Sequence, residues 1–134
     1  MRKIEHIGIA VKSMDEAIPV YEKLLNTKCY KIEGVASEGV KTAFFKVGDA
    51  KIELLEATNQ ESPIAKYLAK KGAGMHHIAY DVADIFVEIE RLKEEGFQLI
   101  QASPKEGADN KLIAFLHPKS TAGTLVELCQ ERAD

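Results

Sequence analysis

The most regular feature of the chain is a pattern of apolar and polar positions that occurs twice in the same order. Segments rich in Ile, Val and Phe that alternate with polar residues predict strands, because successive side chains of a strand point to opposite faces. Apolar residues spaced three and four positions apart predict helices. The first half predicts a helix that begins at Ser13 or Asp15 and ends near Leu25, and strands at 3–11, 29–32, 40–47 and 51–56.

A short amphipathic segment separates the halves, and the second half repeats the order of the first. Ser62 and Pro63 are typical of a helix start, so we expect a joining helix that ends at Lys71. The second half predicts a helix from Asp84 to Gly96 and strands at 75–82, 97–101, 112–116 and 124–130.

These elements predict an α+β fold made of two tandem βαβββ modules. Module one covers 1–58, the joining helix lies within 59–73, and module two covers 74–134. A length of 134 residues is typical of one domain, so we expect the two modules to form a single domain.

The repeat extends to the residues themselves. Residues 5–11 read Glu-His-Ile-Gly-Ile-Ala-Val and residues 76–82 read His-His-Ile-Ala-Tyr-Asp-Val, so His77 corresponds to His6 at a distance of 71 residues. Later in each half, Glu53 and Glu127 occupy equivalent positions that are 74 residues apart. Each half therefore contributes one histidine and one glutamate from apolar, strand-like segments.

Strand alternation places the histidines on a face with room for a ligand. On the first strand His6 shares its face with Gly8 and Ala10, which are small, while the β-branched residues of the other face can pack under the helix. The same alternation separates the two adjacent histidines of the second half. His77 lies on the face that matches His6 and His76 lies on the other, so His77 is the predicted functional residue.

Four such residues in matched pairs predict a site for a divalent metal ion. A carboxylate in an apolar interior costs several kcal/mol unless it is paired or binds a cation, and two equivalent glutamates would repel each other without one. Imidazoles and carboxylates form a nitrogen and oxygen set that suits Co²⁺, our first choice, and also Mn²⁺, Ni²⁺, Zn²⁺ and Fe²⁺. Around an octahedral ion, four ligands leave two positions for a bidentate oxygen substrate. The predicted ligands are His6, Glu53, His77 and Glu127.

Composition and charge argue against two classes of function. A net charge of −3 is not typical of a nucleic-acid-binding protein. No apolar run approaches the roughly 18 residues that a membrane helix needs. Cys29 and Cys129 stand in unrelated contexts, which predicts two reduced thiols. Because the basic residues near the start lead into a strand and not into a signal peptide, we expect a cytoplasmic protein.

The doubled pattern of histidine and glutamate on two βαβββ modules resembles the vicinal oxygen chelate superfamily of glyoxalases, bleomycin resistance proteins and dioxygenases. More narrowly, the chain is similar to the methylmalonyl-CoA epimerases over essentially its whole length. The segments that carry this resemblance are 5–11, Glu38-Gly39-Val40, 61–68, 74–79, Leu116-His117-Pro118-Lys119 and Gly123-Thr124-Leu125-Val126-Glu127-Leu128.

The resemblance implies a fold, a ligand set and a reaction. In the superfamily, two such modules form a cupped, partly open β-barrel around a divalent metal, and the family's ligands fall on His6, Glu53, His77 and Glu127. The second ligand is a glutamine in some relatives, so Glu53 makes this site more anionic by one charge. The implied reaction interconverts (S)- and (R)-methylmalonyl-CoA through an enolate by removal and return of the C2 proton. The implied partners are a CoA thioester substrate and a second copy of the chain in a homodimer.

The resemblance also indicates candidate acid and base residues. Glu53 and Glu127 lie in different modules, so they are catalytic candidates for opposite faces of the substrate. Some relatives have a glutamate, proposed as a base, just after the Glu-Gly-Val turn, but this chain has Thr42 there, which cannot act as a base near neutral pH. Glu38 is the alternative nearby. Lys119 is a candidate for contact with the substrate carboxylate or the CoA phosphates.

Three other functions within the superfamily stay open. A glyoxalase-I-type lactoylglutathione lyase shares the four ligands and proceeds through related enediolate chemistry. An extradiol dioxygenase uses two histidines and one glutamate, so a fourth ligand at Glu53 argues against it. A non-catalytic small-molecule binding protein normally lacks the ligand set, whereas all four residues are present here.

Overall fold

The computed structural model describes residues 1–132, and these contain eight strands and three α-helices. The chain divides into two compact units. The first unit contains His6–His76, and the second contains Met1–Glu5 together with the described residues from His77 onward. Within residues 1–132, no helix has the length and apolar character needed to span a membrane. That residues 1–134 form a single domain stays a prediction.

The first unit has the βαβββ order that its sequence predicts, followed by the joining helix. The elements are β1 (Lys3–Ala10), α1 (Met14–Leu25), β2 (Lys31–Val35), β3 (Val40–Val47), β4 (Ala50–Ala57) and α2 (Pro63–Lys71). The strands are arranged β2-β3-β4-β1, and β1 is parallel to β4 while the other pairs are antiparallel. Gly48, with a φ of +60°, and Asp49 form a hairpin between β3 and β4.

The second unit repeats this arrangement. The elements are β5 (Gly74–Asp81), α3 (Ile85–Glu94), β6 (Lys105–Glu106), β7 (Lys111–Leu116) and β8 (Val126–Glu131). The strands follow the order β5-β8-β7-β6, with β5 parallel to β8 and the other pairs antiparallel. Each half of the chain therefore has the predicted order of elements.

The first five residues belong to the second unit, where Arg2 binds Asp81. The backbone N–H of Arg2 donates to the Asp81 carbonyl at 2.8 Å, and its guanidinium Nε lies 2.7 Å from the Asp81 carboxylate. This hydrogen bond and the carboxylate charge raise the pKa of Arg2 above its ordinary value. The start of the chain is thus fixed to a residue 79 positions away.

The strand predicted at 29–32 is displaced toward the C-terminus, because β2 begins at Lys31 and continues to Val35. The Tyr30 N–H donates to the Phe44 carbonyl at 3.1 Å, and Lys31 is also the register partner of Phe44. Two residues therefore oppose one, as in a β-bulge, and the regular ladder starts only after this extra residue.

The strand predicted at 97–101 is wrong. Within that segment only Leu99 forms a bridge, to Leu116. The strand that pairs beside β7 is β6, where Lys105 is opposite Ile113. Gly107 permits the chain to approach β7 there, because a Cβ at this position would lie 2.7 Å from Ile113 Cδ1.

The helices begin at residues that the sequence predicts. Ser13, and not Asp15, caps α1, while Ser62 caps α2 and Asp84 caps α3. In each case the side-chain oxygen accepts backbone N–H groups two or three residues later. Such bonds satisfy N–H groups that have no partner inside the helix.

A second hydrogen bond at the helix start occurs in both units. The Met14 N–H at the start of α1 donates to Glu56 Oε2 at 2.8 Å, and the Ile85 N–H at the start of α3 donates to Gln130 Oε1 at 2.8 Å. Glu56 and Gln130 each lie three residues after a glutamate of the predicted ligand set. This bond fixes each helix to the strand that carries a candidate site residue.

The strands of each unit pack one face against the helix of that unit. In the first unit Ile9 and Val11 of the first half pack with α1, as the alternation predicts. The other face of this sheet is covered in part by α2, whose Ile64 packs in a cluster with Ala10. The main cores are Val11, Met14, Ala43, Phe45 and Leu54 in the first unit, and Val82, Ile85, Ile89, Leu92, Ala114, Leu116 and Leu128 in the second.

Candidate metal centre

In the first unit, β1 and β4 bring His6 and Glu53 together. The two strands are parallel with Gly8 opposite Glu53, so the side chains of His6 and Glu53 lie on the same face of the sheet. His6 Nδ1 lies 3.1 Å from Glu53 Oε2. Both residues are buried, at 5% and 4% exposure. This pair therefore offers a nitrogen and an oxygen donor at one buried point.

In the second unit, β5 and β8 bring His77 and Glu127 together in the same way. Ala79 is opposite Glu127, so His77 shares the face of that glutamate. His77 Nε2 lies 3.0 Å from Glu127 Oε1, and both residues are buried. The sequence repeat thus corresponds to a repeat of side-chain geometry.

A phenylalanine stands next to the glutamate in each unit. Phe44 of β3 is opposite Glu53, and Phe115 of β7 is opposite Glu127. The Phe115 ring also meets the His77 ring edge to face, with centroids 5.8 Å apart and planes at 85°. The glutamate of each pair therefore has an aromatic residue opposite it on the adjacent strand.

Cys129 contacts Glu127 in the second unit, a role that we did not assign to it from the sequence. Its thiol donates to Glu127 Oε2 at 2.9 Å, and the residue is fully buried. The signal in the sequence was its position two residues after Glu127, since alternate residues of a strand share a face. Both Cys29 and Cys129 are free thiols, as predicted.

The two pairs fit a divalent metal ion by their donor chemistry. A buried carboxylate is costly unless a cation or a proton balances its charge. Imidazole nitrogen and carboxylate oxygen are ligands that Co²⁺, Zn²⁺, Mn²⁺, Ni²⁺ and Fe²⁺ accept. The residues that could hold such an ion are His6 with Glu53 in the first unit and His77 with Glu127 in the second.

Two other histidines have structural contacts. His76 packs edge to face against the Tyr67 ring, with centroids 4.8 Å apart, and is only half-buried. His117 Nδ1 accepts the Lys119 N–H at 3.1 Å and caps a short 3₁₀ turn. The side chain of Lys119 is exposed.

The two residues considered for an additional base lie in different surroundings. Thr42 is 1% exposed within β3. Glu38 is half-buried at the end of the short 3₁₀ turn Ala36–Glu38. Gly39 follows with a φ of +62°, where a Cβ would lie 2.6 Å from Ser62 Cβ.

Residues 5–115 match the family model of the Glyoxalase/Bleomycin resistance protein/Dioxygenase superfamily. The chain belongs to this superfamily. It is 39% identical over 130 residues to the ethylmalonyl-CoA/methylmalonyl-CoA epimerase of Cereibacter sphaeroides, with 96% of the chain and 97% of the relative covered. It is 36% identical over 129 residues to the mitochondrial methylmalonyl-CoA epimerase of Homo sapiens, with 96% and 73% covered.

A solved structure of the same superfamily agrees with these relatives. A methylmalonyl-CoA epimerase in complex with methylmalonyl-CoA and NH4+ has a TM-score of 0.95 to this chain at 32% identity, covering 99% of this chain and 96% of that one. The predicted fold class and the resemblance to this family of epimerases are confirmed.

Proposed function

We propose that this chain is a metal-dependent methylmalonyl-CoA epimerase, which interconverts the (S) and (R) forms by moving the proton at C2. The observation that carries the proposal is a repeated buried contact between imidazole and carboxylate, in a chain 39% identical to an ethylmalonyl-CoA/methylmalonyl-CoA epimerase. A related epimerase is solved in complex with methylmalonyl-CoA, which supports a CoA thioester as the substrate.

The proposed ligands of one divalent ion are His6, Glu53, His77 and Glu127. Co²⁺ is the first choice, and Mn²⁺, Ni²⁺, Zn²⁺ and Fe²⁺ are alternatives that the same donors accept. Bound there, the ion would supply Lewis-acid stabilisation of negative charge on a substrate oxygen. The imidazoles contribute no charge when neutral, while each glutamate contributes one negative charge.

The acid and base proposed from this chain are Glu53 and Glu127. Epimerisation needs one group to remove the C2 proton and a second group to return a proton on the opposite face. The two glutamates come from equivalent positions of the repeat, which supports one role for each. Phe44 and Phe115 stand beside them and limit the access of water to the carbanion that proton removal leaves. Glu38 is the alternative base.

Lys119 is proposed to contact the CoA part of the substrate. Its side chain is exposed at the short 3₁₀ turn that follows β7, so binding a phosphate would not require it to break a buried contact. A compact ammonium group of this kind binds phosphate oxygens as a point charge.

The proposal is tested by incubating the metal-loaded protein with (S)-methylmalonyl-CoA in D₂O. We expect inversion at C2 with uptake of solvent deuterium, since the proton is removed and replaced. A parallel assay with the hemithioacetal of methylglyoxal and glutathione tests the glyoxalase alternative. Turnover of the hemithioacetal without turnover of the thioester would contradict the proposed epimerase.

A further inference from the structure

A lysine lies on the same face of the first sheet as the His6–Glu53 pair, two strands away. Lys31 is opposite Phe44, and Phe44 is opposite Glu53, so these three residues form a row across β2, β3 and β4. Directly opposed residues of neighbouring strands point to the same face. Strands are about 4.8 Å apart, so the Cα atoms of Lys31 and Glu53 are separated by about 10 Å. A lysine side chain and a bound carboxylate together can span that distance.

The Lys31 side chain is held across the ring that borders the site. Its Nζ lies 4.5 Å from the Phe44 ring centroid and 3.5 Å from Glu33 Oε1. Phe44 is fully buried, whereas the Lys31 side chain is 37% exposed. An ammonium over an aromatic face is attracted by the ring quadrupole. The Lys31 ammonium therefore lies over Phe44, on the side of the strand that leads to Glu53, and it is accessible to a ligand.

Lys28, a nearby lysine of the same unit, is arranged differently from Lys31. Lys28 lies in the loop before β2, and its side chain is 89% exposed. Its Nζ lies 4.0 Å from Glu22 Oε1. Lys28 is thus a solvated lysine of the same unit, while the Lys31 side chain packs on an aromatic ring beside the candidate metal ligand.

The charge of the proposed site calls for an additional cation. If Glu53 and Glu127 both bind a divalent ion, their two negative charges balance it. A malonyl-type thioester then adds its free carboxylate, and loss of the C2 proton adds a second negative charge. Charges in a site of low dielectric interact strongly, so a nearby ammonium stabilises both states.

We propose that Lys31 binds the free carboxylate of a malonyl-type thioester and selects such substrates over simple acyl-CoA thioesters. The inference rests on the proposed function for the identity of the substrate. Phe44 and Glu33 hold the ammonium in place, and the carboxylate of the substrate is the anion that it recognises. Lys31 thus determines which thioesters the site accepts.

The test compares two ligands that differ by the carboxylate. Binding of methylmalonyl-CoA and of propionyl-CoA is measured by calorimetry on wild-type protein and on Lys31→Met, with and without metal. Methionine keeps an apolar chain over Phe44 but removes the charge. We expect a loss of about tenfold in affinity for methylmalonyl-CoA, which corresponds to about 1.4 kcal/mol, and little change for propionyl-CoA. Lys31→Arg is expected to retain most of the preference.

Lys28→Met serves as the matched control and should bind both thioesters like the wild type. An equal loss for both thioesters in Lys31→Met would overturn the inference, because the lysine would then serve the CoA part or the fold. Unchanged binding of both would overturn it as well. If wild type prefers methylmalonyl-CoA through Lys31 but fails to epimerise it, the proposed reaction fails and the Lys31 inference stands.

Discussion

The two oxygens of the Glu127 carboxylate have different neighbours. Oε1 lies 3.0 Å from His77 Nε2, and Oε2 accepts the Cys129 thiol at 2.9 Å. A hydrogen bond to the second oxygen of a ligand fixes the orientation of the first, and such outer contacts contribute to metal affinity. In the first unit the residue two positions after Glu53 is Leu55, whose side chain has no hydrogen-bond donor. The two equivalent glutamates are therefore oriented by different means.

Replacing Cys129 should therefore weaken metal binding. For Cys129→Ala we expect about a tenfold loss in affinity for Co²⁺, measured by competition with a chelating dye. Cys129→Ser should restore most of the affinity, since its hydroxyl can donate to the same oxygen. Cys29→Ala is the control, because Cys29 packs against the core cluster beside α1, and this variant should bind metal normally. Wild-type affinity in Cys129→Ala would contradict this role.

Amide variants should separate the proton-transfer roles of Glu53 and Glu127. In Glu53→Gln and Glu127→Gln the side chain keeps an oxygen that can contact a metal but loses its basicity. Each variant is expected to exchange deuterium into C2 from only one epimer, which mass spectrometry of each pure epimer in D₂O would detect. Near-normal epimerisation by both variants would place the acid and base elsewhere, and Glu38 would be tested next.

The sequence predicted the candidate ligands better than the residues around them. His6 and His77 could be paired from the repeat, because identical spacing on a strand forces identical faces. Cys129 lies two residues after Glu127 on the same strand, so alternation along the strand contained its position, although the residue type alone did not indicate a hydrogen bond to the glutamate. Lys31 could not be assigned in this way, because its place beside Phe44 and Glu53 depends on which strands are neighbours in the sheet.

At the scale of elements, Gly39 determines how β3 and α2 meet. Its φ of +62° is unfavourable for other residues, and a Cβ there would lie 2.6 Å from Ser62 Cβ. We expect Gly39→Ala to lower the free energy of unfolding by about 2–4 kcal/mol, from backbone strain and from overpacking at the α2 cap. Urea unfolding followed by circular dichroism measures this loss.

Gly48 provides the matched control for this prediction. It has nearly the same φ, +60°, but among residues 1–132, apart from its two neighbours in sequence, no heavy atom lies within 4 Å of a Cβ built there. Gly48→Ala should thus lose only the strain component, about 1–2 kcal/mol. Equal losses in the two variants would show that the contact with Ser62 has no effect on stability.

The elements that the sequence predicted well are those whose signals are local. Ser13, Ser62 and Asp84 cap helices through their own backbone neighbours, so their positions are evident from sequence. The strand at 97–101 was predicted from apolar residues alone, whereas β6 forms where Gly107 lets the chain approach Ile113. That approach depends on tertiary contact, which a local pattern does not contain.

At the scale of the whole molecule, we expect a homodimer in a cytoplasmic location, and both stay predictions. Large apolar side chains are exposed on α1 and α3 at Val20, Leu24, Phe86 and Val87. Exposed apolar groups of this kind favour association. Sedimentation equilibrium should give about twice the chain mass of 14.8 kDa. A single species of 14.8 kDa at micromolar concentration would contradict the dimer.

The bond between Arg2 and Asp81 has a consequence for the order of folding during synthesis. Chains leave the ribosome from the N-terminus, and compact units form as their residues become available. The first unit uses only residues 6–76, so it can form while the remainder is still being translated. The second unit contains residues from both ends of the described chain, so Arg2 can bind Asp81 only after Asp81 has been synthesised. His77 and Glu127, half of the proposed ligand set, therefore reach their positions last, and a nascent chain stopped before them should not retain the metal.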